Sequence, residues 1–302
     1  MDTQAFLRRI GISEYDGPPR LEALSRLHEA YVDQVPYESV QFQLTPGDPL
    51  DPDRTARRIV ARETGGYCFQ LNGTFALLLT ELGYRVRMHR GGAQTANRPG
   101  DVDASHMVLT VSGLVEDPER VWLVDAGLGE ALTRPMPLEV GSTYQEPFAL
   151  GLRPSEKTDG WRLDHDPRAN LIGMDFESAA VGLDAFAAQH ATLSTDPESP
   201  FRRLASAFRR KPASVVVLRS VGLSEIFADR IDTSTLENPA DYFAVLADVF
   251  HLPLPHFSRA DRDRLWRRVW AQYEDFLAAG PENEDGGRAV GGLEGEGVGS
   301  VA

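Results

Sequence analysis

The sequence is short of several things at once. It has one cysteine, Cys68, which excludes an internal disulfide and any multi-cysteine zinc site. Its longest apolar runs, such as Phe75 to Leu79 and Val215 to Leu218, fall far below the roughly 20 residues of a membrane span. The opening MDTQAFLRRI has no apolar core of the signal-peptide kind. These absences point to a cytoplasmic protein with a free thiol and no membrane partner. Lysine is scarce too: of 31 basic residues only Lys157 and Lys211 are lysines, a skew that reads as codon bias. Acids outnumber bases 45 to 31, for a net charge of −14. That balance argues against a nucleic-acid coat, yet leaves room for one local cationic pocket. No G-x-G-x-x-G follows a strand and no G-x-x-x-x-G-K occurs, so the usual nucleotide cradles are absent.

The remaining composition is that of a globular protein, 42% hydrophobic and 25% charged, and 302 residues suggest about two domains. The first 83 residues read as helical. Leu21, Leu24, Leu27 and Tyr31 recur at helical spacing before Pro36. A second helix is predicted over roughly Tyr67 to Leu82, stopped by Gly83. From Tyr84 the period changes to two, and YRVRMHRG, HMVLTVSGL and RVWLVDAG read as strands. Further short strands to about Phe176 suggest a small barrel or sandwich, with a connecting helix over Phe176 to His190. Thr192 to Ala279 combine a strand, SVVVLR, with helices in YFAVLADVF and RDRLWRRVWAQYEDFL. Trp266, Trp270 and Phe276 on the last helix are expected in the core, and His28 on a helix surface. His251 and His256 flank Pro253 and Pro255, so one helical face cannot present both, and no metal site is expected. Residues 281–302 hold seven glycines and five acids without an aromatic, the composition of a disordered tail.

Cys68 sits in ETGGYCFQLNGTF, after a glycine pair and at the predicted start of a helix. Unpaired N–H groups and the positive end of the helix dipole stabilise a thiolate there. His106 opens the strand HMVLTV and Asp125 closes VWLVD. A hairpin folded in GLVEDPE brings both to its open end. There a carboxylate would fix the imidazole and leave its second nitrogen for the thiol. Each residue also has an ordinary reading: a buried inert cysteine, a locally bonded histidine, a turn-capping aspartate. The order Cys, His, Asp with gaps of 38 and 19 residues fits neither the papain-like nor the caspase arrangement.

GGYCFQLNGTF, SHMVLTV and WLVDAGLG resemble the three active-site blocks of the arylamine N-acetyltransferases. LEALSRLHEAYVDQVPYESV is similar to that family's opening helix and its Pro-aromatic-Glu turn, and STDPESPF to the segment leading into its last domain. The resemblance implies an α+β fold: a helical domain over 1–83 carrying the cysteine, and a central β-barrel over 84–191 carrying the histidine and aspartate. A C-terminal α/β lid over 192–280 and the tail would complete it, around a cysteine-protease-like Cys-His-Asp core. It implies catalysis by Cys68, His106 and Asp125 in ping-pong transfer from acetyl-CoA, or another acyl thioester, to an aromatic amine or hydrazine. No tightly bound cofactor is implied. Gly127 and Gly129 would let the donor pass close to the backbone, and Leu128, Tyr67 and Tyr37 would meet substrate.

The chain departs from the family pattern at Thr64, usually arginine, and Gln70, usually glutamate, which would leave Glu38 without its partner. Leu128 replaces a phenylalanine, and Glu130 stands where glycine is common. A second reading of the same site is an amide synthase that takes a polyketide chain from a carrier protein and closes a macrolactam. A third is a non-catalytic binding homologue.

Overall fold

Polar caps and a left-handed stop divide the first 83 residues into four helices. Asp2 accepts from the backbone of Ala5 and opens α1 (Thr3–Arg9). α2 (Leu21–Gln34) buries Leu24, Leu27 and Tyr31 and ends ahead of Pro36. The chain then extends briefly as β1 (Tyr37–Glu38) and turns through a 3-10 segment, Val40–Gln43. Asp51 accepts from Arg54 N, with Pro52 in the first turn, and opens α3 (Pro52–Arg62). α4 (Cys68–Glu81) is apolar on nearly every face and therefore central, and Gly83 beyond its end takes φ +88°. This computed structural model describes residues 1–95, 102, 105–130 and 132–279, so the predicted tail over 281–302 lies outside the described residues.

Alternating patterns after Tyr84 build the larger sheet. It comprises β2 (Arg85–Thr95), β3 (His106–Ser112), β4 (Trp122–Val124), β5 (Met136–Pro137), β6 (Gly141–Gln145), β7 (Phe148–Pro154), β8 (Gly160–Asp164) and β9 (Leu171–Val181). The strand order is β5-β4-β3-β2-β9-β8-β7-β6, every neighbour antiparallel. The sheet curls into a nearly closed barrel. Val108, Leu123, Leu150, Leu163, Met174 and Phe176 fill one cluster of its core. The hairpin predicted around GLVEDPE is present, with Leu109 opposite Val124 and Val111 opposite Trp122. The segment predicted as a helix from Phe176 is instead strand as far as Val181, because β9 pairs with β8 up to Glu177 and with β2 up to Val181. A 3-10 turn (Leu183–Phe186) follows, and the helix α5 (Ala187–Thr195) begins only then.

After a short α6 (Pro200–Arg203), a second antiparallel sheet runs through β10 (Ser206–Arg210), β11 (Val215–Arg219), β12 (Gly222–Ile226) and β13 (Ile231–Thr235). β1 joins its edge, with Tyr37 opposite Phe208, so the N-terminal segment is not purely helical and is tied directly to the last part of the chain. α7 (Pro239–Asp248) and α8 (Arg259–Ala279) cover that sheet around Leu218, Tyr242, Leu246 and Leu265. Trp266 and Trp270 pack partly buried there, whereas Phe276 is 44% exposed, beyond the last buried residue of α8. Among the described residues no helix is long and apolar enough to cross a membrane.

Candidate active site

Sterics set the start of α4. A side chain on Gly65 would place its Cβ 1.9 Å from the carbonyl oxygen of Pro36, so only glycine lets the loop pass β1 so closely. Glu38 N donates to the Gly66 carbonyl at 2.8 Å, fixing that crossing. Two residues on, Cys68 begins the helix, and its Sγ donates to the Ser105 carbonyl at 3.7 Å. The thiol is 3% exposed. It therefore sits at the electropositive end of a buried helix, beside the strand that His106 opens.

His106 Nε2 and Asp125 Oδ2 are 2.7 Å apart, both groups buried. Burial alone would push the imidazole pKa down. The charge and hydrogen bond of Asp125, with the facing Cys68 sulfur, outweigh it and raise His106 to about 10. The three side chains singled out in the sequence thus converge, with the imidazole between sulfur and carboxylate. β3 and β4 bring about the His–Asp half, and the packing of α4 across β3 supplies the sulfur.

Asp125 is held from every side. Its Oδ1 accepts from Asn72 Nδ2 at 2.8 Å and from Gly127 N at 2.9 Å. Asn72 also donates to the Met107 carbonyl at 2.6 Å and accepts from Ala126 N at 2.9 Å. His28, expected at the surface, is fully buried: its Nδ1 donates to the Thr133 carbonyl at 2.9 Å, and its Nε2 accepts from Asp125 N at 3.3 Å. Burial, helped by Arg210, lowers His28 to about 4, so it is a neutral acceptor at neutral pH. Neither residue was singled out from the sequence. Asn72 had a legible signal, an amide four residues after Cys68 and so on the same helix face. His28 had none, because only the tertiary fold lays the 125–133 loop over α2.

The other expected contacts divide. Tyr37 is half-buried, its ring edge-on to Phe208 at 5.4 Å. Burial raises its hydroxyl pKa well above the usual value, and the nearby Cys68, Glu130 and Asp125 push the same way, so the phenol lies beside the site. Leu128 is partly buried and leans on the barrel cluster. Tyr67 is a correction. It is fully buried among Phe42, Phe69, Phe201 and His190, and its hydroxyl donates to His190 Nδ1 at 2.6 Å, leaving no surface for a substrate. At Gly127 a Cβ would lie 2.9 Å from both Cys68 Cα and Asn72 Nδ2, so this glycine lets the loop touch the start of α4. Gly129 takes φ +70° and faces Phe208 and Tyr37.

The departures from the family pattern are compensated locally. Thr64 Oγ1 accepts from Arg58 Nη1 at 2.8 Å. The Arg58 charge opposes the burial that raises the Glu38 pKa, so α3 supplies the cation that Glu38 was expected to lack. Glu130 does not open on solvent. It is 2% exposed, its Oε2 accepts from Asn170 N and Leu171 N at 3.1 Å, and Arg219 Nη2 lies 3.9 Å from its Oε1. It fastens the loop after Asp125 to the barrel.

A family model described as N-acetyltransferase matches residues 20–259. An arylamine N-acetyltransferase of Mycobacterium tuberculosis (H37Rv) is 33% identical over 171 residues, 54% of this chain and 58% of that one. The proansamycin X synthase of Amycolatopsis mediterranei is 31% identical over 167 residues, 54% and 61% of the two chains. The matched segments span about half the length of the first curated relatives, 46 to 59%. The solved structure of Mycobacterium marinum arylamine N-acetyltransferase in complex with CoA overlays 89% of this chain and 98% of its own, with TM-score 0.76 and 26% identity. With 240 consecutive residues under one family model and the fold of solved members, this chain belongs to the arylamine N-acetyltransferase family.

Proposed function

We propose that the protein is an acyl-CoA-dependent N-acyltransferase that works through a thioester on Cys68. The observation that carries this reading is the buried 2.7 Å His106–Asp125 contact, with the Cys68 sulfur facing the same imidazole. An imidazole raised to about 10 keeps its proton near neutral pH, so it stands as a cation beside the sulfur. In the first half-reaction the Cys68 sulfur attacks the thioester carbonyl, a new C–S bond forms, and the donor's C–S bond breaks. The departing thiolate takes the His106 proton and leaves as CoA thiol. In the second, the nitrogen of an aromatic amine or hydrazine attacks the acyl carbon. His106 removes the N–H proton, and Cys68 leaves as thiolate beside the restored imidazolium. Asp125 stays ionised and holds the ring, as the aspartate of other triads does. In this reading Tyr37 and Leu128 meet the acceptor, which the half-buried position of Tyr37 beside the site supports.

The test is intact mass after incubation with acetyl-CoA. One acetyl group should be added to the native protein and none to Cys68→Ala, which should also release no CoA. Turnover undiminished in Cys68→Ala would overturn the reading, and an unmodified native protein would favour a non-catalytic homologue. A second reading keeps the same three side chains and replaces the donor by a carrier-bound polyketide whose own amine closes the ring. The likeness to proansamycin X synthase, nearly as high as that to the acetyltransferases, favours testing it. Turnover of a thioester-linked aminopolyketide without response to acetyl-CoA would select it.

A further inference from the structure

We infer that the groove along α3 is a binding site for a phosphate or diphosphate group, built by Arg54, Arg58 and Arg62 with Arg57. Asp48 and these four arginines line an open groove of about 330 Å³. Four guanidinium groups line it beside one carboxylate, on a chain whose net charge is −14, while Asp53 and Glu38 answer Arg57 and Arg58 from outside the lining. Arg54, Arg58 and Arg62 repeat at intervals of four and so share one helix face, where like charges destabilise a helix. Such an arrangement costs stability unless an anion offsets it.

The local acids are largely engaged. Asp48 pairs with Arg54 at 2.6 Å, and Asp53 with Arg57 and with the N-terminal amine. Arg62 forms no ion pair among the described residues, and Arg58 uses one nitrogen on Thr64 while its buried Nη2 has no hydrogen-bond partner among them. The positive field reaches beyond the helix. Arg58 is disfavoured as a cation by burial, supported by Glu38 and Asp48 and opposed by Arg62, whereas His256 is disfavoured by burial and then by Arg62 and Arg58. A planar guanidinium offers paired donors that match the oxygens of phosphate, and a divalent oxyanion suits several such groups better than a carboxylate does. Because Arg58 is also the counter-charge of Glu38, next to Tyr37, the groove touches the supports of the Cys68 site without being part of it.

The phosphate could be that of a free ligand or the diphosphate of an acyl-CoA donor; the donor assignment alone rests on the transferase reading. The test is calorimetric titration of the full chain with pyrophosphate at low salt, in wild type, Arg62→Glu and Arg54→Ala/Arg62→Ala. Both side chains are exposed, and neither belongs to the Cys68 centre. Wild type should bind, more weakly as salt rises, and both variants should bind at least tenfold more weakly at a melting temperature no lower than that of wild type. No binding by wild type, or equal binding by the variants, overturns the site whatever the enzyme does. A variant KM raised for acetyl-CoA but not for S-acetylpantetheine assigns the groove to the donor. Both KM values unmoved assign it to a separate phosphate ligand.

Discussion

Asn72 Nδ2 lies 2.8 Å from Asp125 Oδ1, one helical turn beyond Cys68 on the same helix. Sulfur and carboxylate therefore share one rigid support, since whatever moves the start of α4 also moves the amide that holds Asp125. Asn72→Ala would free one acceptor position on Asp125 and leave the Ala126 N–H unpaired in the interior. A buried group so stranded costs about 1–3 kcal/mol. We expect a corresponding fall in the urea midpoint and a 10–100-fold drop in kcat/KM, because small displacements of a catalytic group carry costs of that size. Loss of stability with full activity would show that the amide supports the fold alone.

The charge on His106 stands beside the Cys68 sulfur through neutral pH. Burial opposes that charge, but Asp125 and Cys68 together lift the imidazole to about 10, so its proton is retained through neutrality. Alkylation of Cys68 by iodoacetamide should accordingly be almost flat from pH 6.5 to 9. Asp125→Asn removes the charge that holds the imidazolium, and its alkylation rate should be lower at pH 6.5 and climb with pH. A native rate that climbs across the same interval would contradict the ion-pair description.

Much of this site was readable before any coordinates. Cys68, His106 and Asp125 stand at the ends of elements whose periodicity is strong, and a two-strand hairpin leaves little choice about where its open end lies. What could not be read comes from packing between distant segments. His28 repeats with the apolar residues of α2 as a surface histidine would at a face boundary, and only the 125–133 loop folding over it reveals its burial. Tyr67, beside the nucleophile in sequence, is packed among Phe42, Phe201 and His190, neighbours that only the tertiary fold supplies. Arg58 replaced a missing cation from another helix, a substitution invisible to a motif that spans residues 64–70. Strand β9 continues to Val181 because β2 pairs with it that far, which outweighs the local preference of SAAVGLDAF.

His28 makes acid stability a second readout of the same site. Burial lowers it from 6.5 to about 4, so in that interval the unfolded chain binds a proton that the native protein refuses. Stability should thus fall as pH drops from 6.5 toward 4, with no contribution from this group above 6.5. The full loss is about 3 kcal/mol at roughly 1.4 kcal/mol per pH unit. His28→Gln can keep both the donor to Thr133 and the acceptor for Asp125 N while carrying no titration. Urea unfolding at pH 7.5, 6 and 5 should show the variant losing less stability than wild type across this range. Parallel losses in the two proteins would remove His28 from the account.

Gly127 is where the chain can least accept a side chain. A Cβ there would stand 2.9 Å from Cys68 Cα and 3.0 Å from the Cys68 carbonyl oxygen, both backbone atoms that cannot swing aside. The same Cβ would be 2.9 Å from Asn72 Nδ2, the donor to Asp125. Gly127→Ala must therefore push the loop off the helix start, taking the Gly127 N–H away from Asp125 and separating sulfur from imidazole together. Overpacking of this kind costs about 1–3 kcal/mol. We expect activity to fall by at least a hundredfold while the chain still folds, with Cys68 alkylation becoming pH-dependent as in Asp125→Asn. Gly129→Ala supplies the contrast. Its strain is that of φ +70°, roughly 1–2 kcal/mol, and its neighbours are the rings of Phe208 and Tyr37 and not the nucleophile. That variant should lose stability and acceptor affinity yet keep a flat alkylation profile. Two glycines two residues apart would then separate the geometry around Cys68 from the packing against Phe208 and Tyr37.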